Sequence, residues 1–287
     1  MHLPTNQQIR EAAMKQQAFG SNCAPEDFLR TENVFTVSKP NENAHKYFHL
    51  PVILDIVSFG TNAVVSGDVE IIEEIKPVVN GTSFYRLFET PKMYALNEVL
   101  SKKNAKICFM ADYFLPDVEK VFSSEVEKNL APRILVTIKV LEPSGKCGGK
   151  TDAEMPASYT ECFENLYCPE WSNALCDVHR ERNVLALGAY DGEKLVALAG
   201  ASADAEDFWQ IGVDCLPEYR RNGIASAITN RIAREIFLRG KIPFYCCAWS
   251  NILSVKNALR AGFVPGWVQV TAKPNEMVDG MAGVVHG

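Results

Sequence analysis

One stretch narrows the folds open to this chain more than any other. It runs Trp209-Gln210-Ile211-Gly212-Val213-Asp214-Cys215-Leu216-Pro217-Glu218-Tyr219-Arg220-Arg221-Asn222-Gly223-Ile224-Ala225. The pattern is a strand, a tight basic loop and the first turn of a helix. Ile224, Ile228, Ile232 and Ile236 then recur at i, i+4 spacing and mark the buried stripe of that helix. No Ser, Thr, Asp or Asn followed by Glu or Gln caps its start. Arg220, Arg221, Asn222, Gly223 and Ala225 stand there instead. Small residues at Gly223 and Ala225 leave the first N–H groups open to close approach. A helix start with bare N–H groups is a seat for an anion such as a pyrophosphate.

The rest of the chain sets limits on that anion. A length of 287 residues suits one large or two ordinary domains, and 47% apolar with 22% charged residues is a globular composition. The net charge of −6 argues against a nucleic-acid partner, so the basic pair Arg220-Arg221 points to a small anionic ligand. Nine cysteines, without a C-x-x-C spacing, read as reduced structural thiols of a cytoplasmic protein. With no apolar run of eighteen residues and no apolar signal core, no membrane association is expected. His2, His45, His49, His179 and His286 show no ligand spacing, so no metal is expected.

Along the chain, Thr5-x-x-Gln8 resembles a capping box opening a helix to about residue 18. Alternation over 51–59 and 63–65 predicts a hairpin, and Asp68 caps a helix carrying Ile71, Ile72, Ile75 and Val79. Thr90-Pro91 starts a helix to about 103, followed by a strand over 106–114, a helix over 116–130 and a strand over 134–141. Ser144-Gly145-Lys146-Cys147-Gly148-Gly149-Lys150 reads as the most flexible stretch. Two helices are expected over 157–167 and 170–182. A hairpin turning at Asp191-Gly192, the opening stretch, a strand over 242–249, a helix over 253–261 and a last strand from 264 complete the order. The boundary between an N-terminal α/β domain (1–132) and the second domain (133–287) falls near Ala131-Pro132.

With these elements in place, the second half resembles the GNAT superfamily of acyl-CoA N-acyltransferases over about residues 133–272. The acyl-CoA motif Gln/Arg-x-x-Gly-x-Gly/Ala stands as Arg220-Arg221-Asn222-Gly223-Ile224-Ala225. The Asn ending the fifth strand and the helix closing on Gly-Phe stand as Asn251 and Gly262-Phe263. The resemblance implies an α+β fold, with a mixed, mostly antiparallel sheet flanked by helices. It implies acetyl-CoA as cosubstrate, bound by Val213, Cys215, the motif residues through Ser226, Asn251, Ser254 and Asn257. Gly212 would start a bulge that splays the fourth and fifth strands, and the Val213 N–H would polarise the thioester carbonyl.

Two family features depart. The Tyr that many members carry seven residues after that Asn is Ala258 here, so Tyr245 or a water is the substitute acid. The base is unassigned: Glu206 and Asp207 are the nearest carboxylates, and a solvated turn is the plainer account of them. Trp-Ser-Asn occurs twice, at 171–173 and 249–251. Chance explains that as well, yet Glu170, Trp171 and Asn173 are the first acceptor-side candidates, since an amine wants a carboxylate and an aromatic wall. Lys106-Ile107-Cys108-Phe109 echoes Lys241-Ile242-Pro243-Phe244, so the N-terminal domain is either a degenerate GNAT-like copy or an ordinary small domain. The expected function is acetyl transfer to a primary amine of a small-molecule acceptor; an acyl-CoA-binding regulatory module is the alternative. A homodimer built through the N-terminal half stays open.

Overall fold

The computed structural model describes residues 3–143 and 159–282. The glycine-rich loop at 144–150 and the start of the helix expected over 157–167 lie outside the described residues. In chain order the elements are α1 (Asn6–Ser21), β1 (Val34–Val37), β2 (Leu54–Ser58), β3 (Val64–Gly67), α2 (Val69–Asn80) and α3 (Thr90–Ser101). β4 (Ala105–Pro116), α4 (Val118–Val121), α5 (Ser124–Asn129), β5 (Thr137–Glu142), β6 (Tyr159–Cys162), β7 (Asn183–Asp191) and β8 (Lys194–Ser202) follow. The last are β9 (Phe208–Cys215), α6 (Ile224–Leu238), β10 (Ile242–Ala248), α7 (Ile252–Arg260), β11 (Phe263–Pro274) and α8 (Asn275–Ala282).

The chain forms two compact units that interleave in sequence. Unit 1 holds Met1–Ile9, Phe114–Cys246 and Asn251–Val264; unit 2 holds Arg10–Tyr113, Cys247–Ser250 and Pro265–Gly287. The division therefore differs from a single cut at 132/133. Strand β11 lies far along the chain yet pairs with β2, from Val268↔Ser58 to Ala272↔Leu54, and so brings a C-terminal segment into unit 2.

In unit 2 the strands run β1-β3-β2-β11-β4, with β1 and β3 parallel and β2 antiparallel to both β3 and β11. Asp68 caps α2 by accepting from the N–H groups of Glu70 (3.0 Å) and Ile71 (3.4 Å). That fixes the helix start and turns Ile71, Ile72, Ile75 and Val79 onto Leu54, Ile56, Val65 and Val270. The capping box of α1 is reciprocal: Thr5 N–H donates to Gln8 Oε1 at 2.8 Å and Gln8 N–H to Thr5 Oγ1 at 3.2 Å.

In unit 1 the strand order is β10-β9-β8-β7-β5-β6. β5–β7, β7–β8 and β8–β9 are antiparallel, while β5–β6 and β9–β10 are parallel. This is the mixed, mostly antiparallel sheet expected, and α6 buries Ile224, Ile228, Ile232 and Ile236. The helix expected over 116–130 is broken in two, because the Ser123 hydroxyl accepts from Val126 N–H (3.3 Å) and starts a second helix.

The larger correction lies between 159 and 182. Strand β6 and three single turns of 3-10 helix (Glu164–Leu166, Pro169–Trp171, Arg180–Arg182) replace the two expected helices. Pro169 has no N–H to give, and the N–H groups of Asn173 and Ala174 donate to Asp214 instead of to helix carbonyls. Phe163, Trp171, Ala174 and Leu175 still bury their side chains, against Leu141, Ala186 and Leu198. Cys162 is disulfide-bonded, a departure from the reduced thiols expected, whereas seven cysteines among the described residues form no disulfide. Among the described residues no helix is long and apolar enough to cross a membrane.

Candidate active site

Strands β9 and β10 pair in parallel from Ile242↔Phe208 to Tyr245↔Ile211, and there the pairing stops. Both strands continue, β9 to Cys215 and β10 to Ala248. On its other side β9 stays in register with β8 from Ser202↔Gln210 to Ala197↔Cys215. Leu216 N–H donates to Val196 O at 3.0 Å. Because antiparallel ladders alternate bonded and non-bonded pairs, Gly212 and Asp214 turn their main-chain groups to β8. Val213 and Cys215 turn theirs away, toward the gap left by β10.

The unbroken register corrects the expectation of a bulge at Gly212. The glycine answers a different need. A Cβ there would stand 1.8 Å from Asn173 O, and one at its cross-strand partner Gly200 1.8 Å from Ala174 O. The chain at 173–174 lies directly on the two strands. Asp214 holds it there, its carboxylate accepting from Asn173 N–H (2.8 Å), Asn173 Nδ2–H (2.6 Å) and Ala174 N–H (2.9 Å).

Beyond β9, the single turn Pro217–Tyr219 and the loop to Gly223 lead into α6. Gly223 is the N-cap residue at φ +83°, and no side chain caps the helix. A Cβ at Gly223 would meet only Pro132 and Ala131 at ordinary contact distance, so its backbone conformation is what demands glycine. Arg221, at φ +64°, also adopts the left-handed region. The first N–H groups of α6 thus lack both intrahelical and side-chain acceptors.

These parts enclose a cleft of about 790 Å³. Val213, Cys215, Arg220, Arg221, Gly223, Ile224, Ala225 and Ser226 line it, together with Asn251, Ser254, Asn257, Tyr245 and Asn173. Asn222 is not on that wall: its side chain donates to Tyr219 O and Arg220 O and braces the loop. Asn251 accepts from Ser254 N–H (3.1 Å) and caps α7. Ser226 donates to Asn257 Oδ1 (2.9 Å) and Asn257 Nδ2–H to Thr229 Oγ1 (3.0 Å), tying α6 to α7. Tyr245 carries its hydroxyl to within 2.7 Å of Ser254 Oγ. Burial pushes the Cys215 thiol up, with nearby Arg220 pulling it back, so it is a poor candidate for a thiolate.

Besides Asn222, three anticipated residues sit elsewhere. Trp171 is buried in the unit 1 core, and Glu170, on the same turn, is exposed and off the cleft. Glu206 is exposed in the turn before β9. Phe208 to Val213 is five strand steps, about 17 Å, so Glu206 is remote from the open edge. The lining residues not anticipated include Asp214, Arg133, Lys256 and Arg260. The last two had a signal, an i, i+4 basic pair on the helix after Asn251. Arg133 had none; a bond from its N–H to Asn222 O (2.9 Å) brings it in.

Residues 153–263 match the model of the Acetyltransferase (GNAT) family. Over those residues the chain is similar to the GNAT family. Solved structures similar to it include a GNAT-family protein from Novosphingobium aromaticivorans, 17% identical, covering 59% of this chain and 66% of that one with a TM-score of 0.37. A GCN5-related N-acetyltransferase-like protein from Streptococcus suis is 15% identical over 64% of this chain and 68% of its own, TM-score 0.41. A GNAT-family acetyltransferase from Colwellia psychrerythraea is 14% identical over 64% and 62%, TM-score 0.36. No curated protein matches the chain. Open to a ligand along this cleft are the outward main-chain groups of Val213 and Cys215 and an uncapped helix start with Arg220 and Arg221 beside it.

Proposed function

We propose that the chain is an acyl-CoA-dependent N-acyltransferase that moves an acetyl group from acetyl-CoA to the primary amine of a small-molecule acceptor. The observation that carries this reading is the end of β9–β10 pairing at Ile211/Tyr245, next to the open N-terminus of α6. Pyrophosphate binding falls to the N–H groups from Gly223 to Ser226, with Arg220 and Arg221 alongside. The amides of the pantetheine arm extend β9 through Val213 and Cys215, with Asn251, Ser254 and Asn257 on the facing wall.

Chemistry then follows from position. The amine nitrogen attacks the thioester carbonyl, whose oxygen gains charge and is met by the Val213 N–H. The C–N bond forms, the C–S bond breaks, and the sulfur takes a proton from the Tyr245 hydroxyl, which Ser254 orients. The nitrogen yields its proton to water. Asp214 is the one carboxylate among the described lining residues and is spent on three donors, so the amine attacks in its neutral form. Holding the reactants together supplies most of the acceleration.

That engaged Asp214, with Ala258 where the family often has Tyr, favours one rival: a module that binds acyl-CoA for regulation without turnover. Thiol release from acetyl-CoA across a panel of amines, polyamines and amino acids separates them. Turnover with any amine supports the enzyme. A rise in melting temperature with acetyl-CoA and no thiol from any acceptor supports the module. No shift with either acetyl-CoA or coenzyme A sinks both.

A further inference from the structure

The loop that opens α6 holds two residues in the left-handed region, Arg221 at φ +64° and Gly223 at φ +83°. For a residue with a side chain that backbone is costly, and it persists only where surrounding contacts hold it. Tyr219 supplies such contacts. Its N–H donates to Leu216 O (2.9 Å), and its carbonyl accepts from Asn222 Nδ2–H (3.2 Å) across the loop. Its hydroxyl reaches outward and donates to Asp191 Oδ2 at 2.9 Å. That bond pushes the hydroxyl pKa up, so Tyr219 stays the donor near neutral pH. Asp191 and Lys194 are the register pair that closes the β7–β8 hairpin. The Lys194 ammonium lies 3.0 Å from Glu218 Oε1 and 5.1 Å from the centre of the Tyr219 ring. Two adjacent residues, Glu218 and Tyr219, are thus gripped by the two that face each other at one hairpin tip. Arg220 by contrast turns its Nε–H back to Cys215 O, at the end of β9 (3.1 Å).

We propose that Tyr219 is a positioning residue for donor binding, anchored by Asp191 and Lys194 of the β7–β8 hairpin. The assignment rests on the donor reading above and deepens it. An anion at a helix start is held by N–H groups whose direction is set by the backbone leading into them. Here that backbone is the left-handed pair Arg221 and Gly223, just beyond Tyr219. The hairpin belongs to the β7–β8–β9 ladder, so it is a firmer reference than the loop, and the Tyr219 hydroxyl carries that firmness across. Exposed ion pairs contribute little by themselves, so the Lys194–Glu218 contact is the lesser part of the clamp. The hydroxyl bond to a carboxylate is the greater. Once it is lost, the loop spends part of its time outside the left-handed form, and only the remaining fraction accepts the donor. The cost therefore appears as weaker binding, not as a weaker fold.

Calorimetric titration of the full chain with coenzyme A tests the assignment in wild type, Y219F, D191A and the double variant, with a melting temperature beside each. Each single variant is expected to weaken coenzyme A binding about fivefold. The double variant should weaken it no further than either single one, because both changes remove the same bond. D191N keeps an acceptor oxygen for the hydroxyl and should bind within about twofold of wild type. Melting temperatures should shift by no more than about 2 °C, since the contact lies at the surface. Wild-type affinity in both single variants, whatever their melting temperatures, overturns the clamp and leaves the donor reading standing. A loss confined to Y219F also overturns it and makes the hydroxyl a direct ligand contact. Losses that multiply in the double variant overturn it as well. Failure of the wild type to bind coenzyme A overturns the donor reading and the clamp with it.

Discussion

The carbonyl oxygen of Asn173 lies 1.8 Å from the point a Cβ of Gly212 would occupy. Ala174 stands in the same relation to Gly200, and the two glycines face each other across β8 and β9. The segment that would form the acceptor side of the site is therefore seated on the sheet by the absence of two side chains. Asp214, two residues further along β9, fastens it.

Gly212→Ala is expected to destabilise unit 1 by about 1–3 kcal/mol, the usual cost of forcing atoms into a packed site. Denaturant unfolding measures it. Because the obstacle is backbone and not the tip of a side chain, relief requires the 173–174 segment to lift, and thiol release should fall even where the protein remains folded. A stability within about 0.5 kcal/mol of wild type would show the contact to be softer than described.

Asp214→Asn leaves one acceptor oxygen where the carboxylate offered two, in contact with three donors. Hydrogen exchange at the amides of Asn173 and Ala174 should speed up by at least about tenfold, consistent with the loss of a charge-assisted bond. Exchange in α6 should stay as it was. Unchanged protection at both amides would remove Asp214 from its holding role.

Gly223→Ala meets no clash, so its cost is the left-handed backbone itself, about 1–2 kcal/mol. The helix start is expected to relax away from its geometry, and coenzyme A affinity should drop by more than the stability does. Titration calorimetry beside thermal denaturation compares the two. Loss of stability with full affinity retained would argue against the α6 N-terminus as the anion seat.

Tyr245→Phe keeps the ring among Phe114 and Phe263 and removes only the hydroxyl. Since a coenzyme A thiolate leaves readily, turnover should fall about tenfold, below the usual range for a lost general acid, with KM unchanged. A rise in KM with unaltered turnover would assign the hydroxyl to binding.

Two buried groups of unit 2 give it opposing pH dependences. Burial pushes the Asp55 carboxyl up to about 6, against the pull of Gln269, Thr271 and Lys273. A raised carboxyl favours the fold fully below the unfolded value near 4 and loses that contribution as pH climbs through about 6. Asp55→Asn should thus gain on wild type by up to about 3 kcal/mol between pH 4 and pH 7. His45, stacked on Tyr47, is held down to about 3 by burial. Its contribution is complete above about 6.5 and is lost as pH falls toward 3, so His45→Phe should flatten the acid limb. Melting curves from pH 3 to 8 read both; parallel profiles for wild type and variants would contradict the assignment.

Much of the proposed donor side was legible in the residues themselves. Gly223, the small residues of the first α6 turn and the Ile224–Ile236 stripe describe a helix start that is open by local chemistry alone, and Asp68 is a cap read at a distance of three residues. Local rules failed where distant parts of the chain compete. Residues 170–182 have helical spacing, but the N–H groups of Asn173 and Ala174 found a better acceptor in Asp214, forty residues away. Gly212 looked like a bulge because nothing nearby in sequence announces the carbonyl above it. The sequence by itself determined which helix start is open to an anion, since capping and left-handed backbone are decided within a few residues. Only the tertiary structure decided what faces that opening, because strand separation, the seating of 173–174 and the gathering of Arg133, Lys256 and Arg260 depend on which segments come to lie against each other.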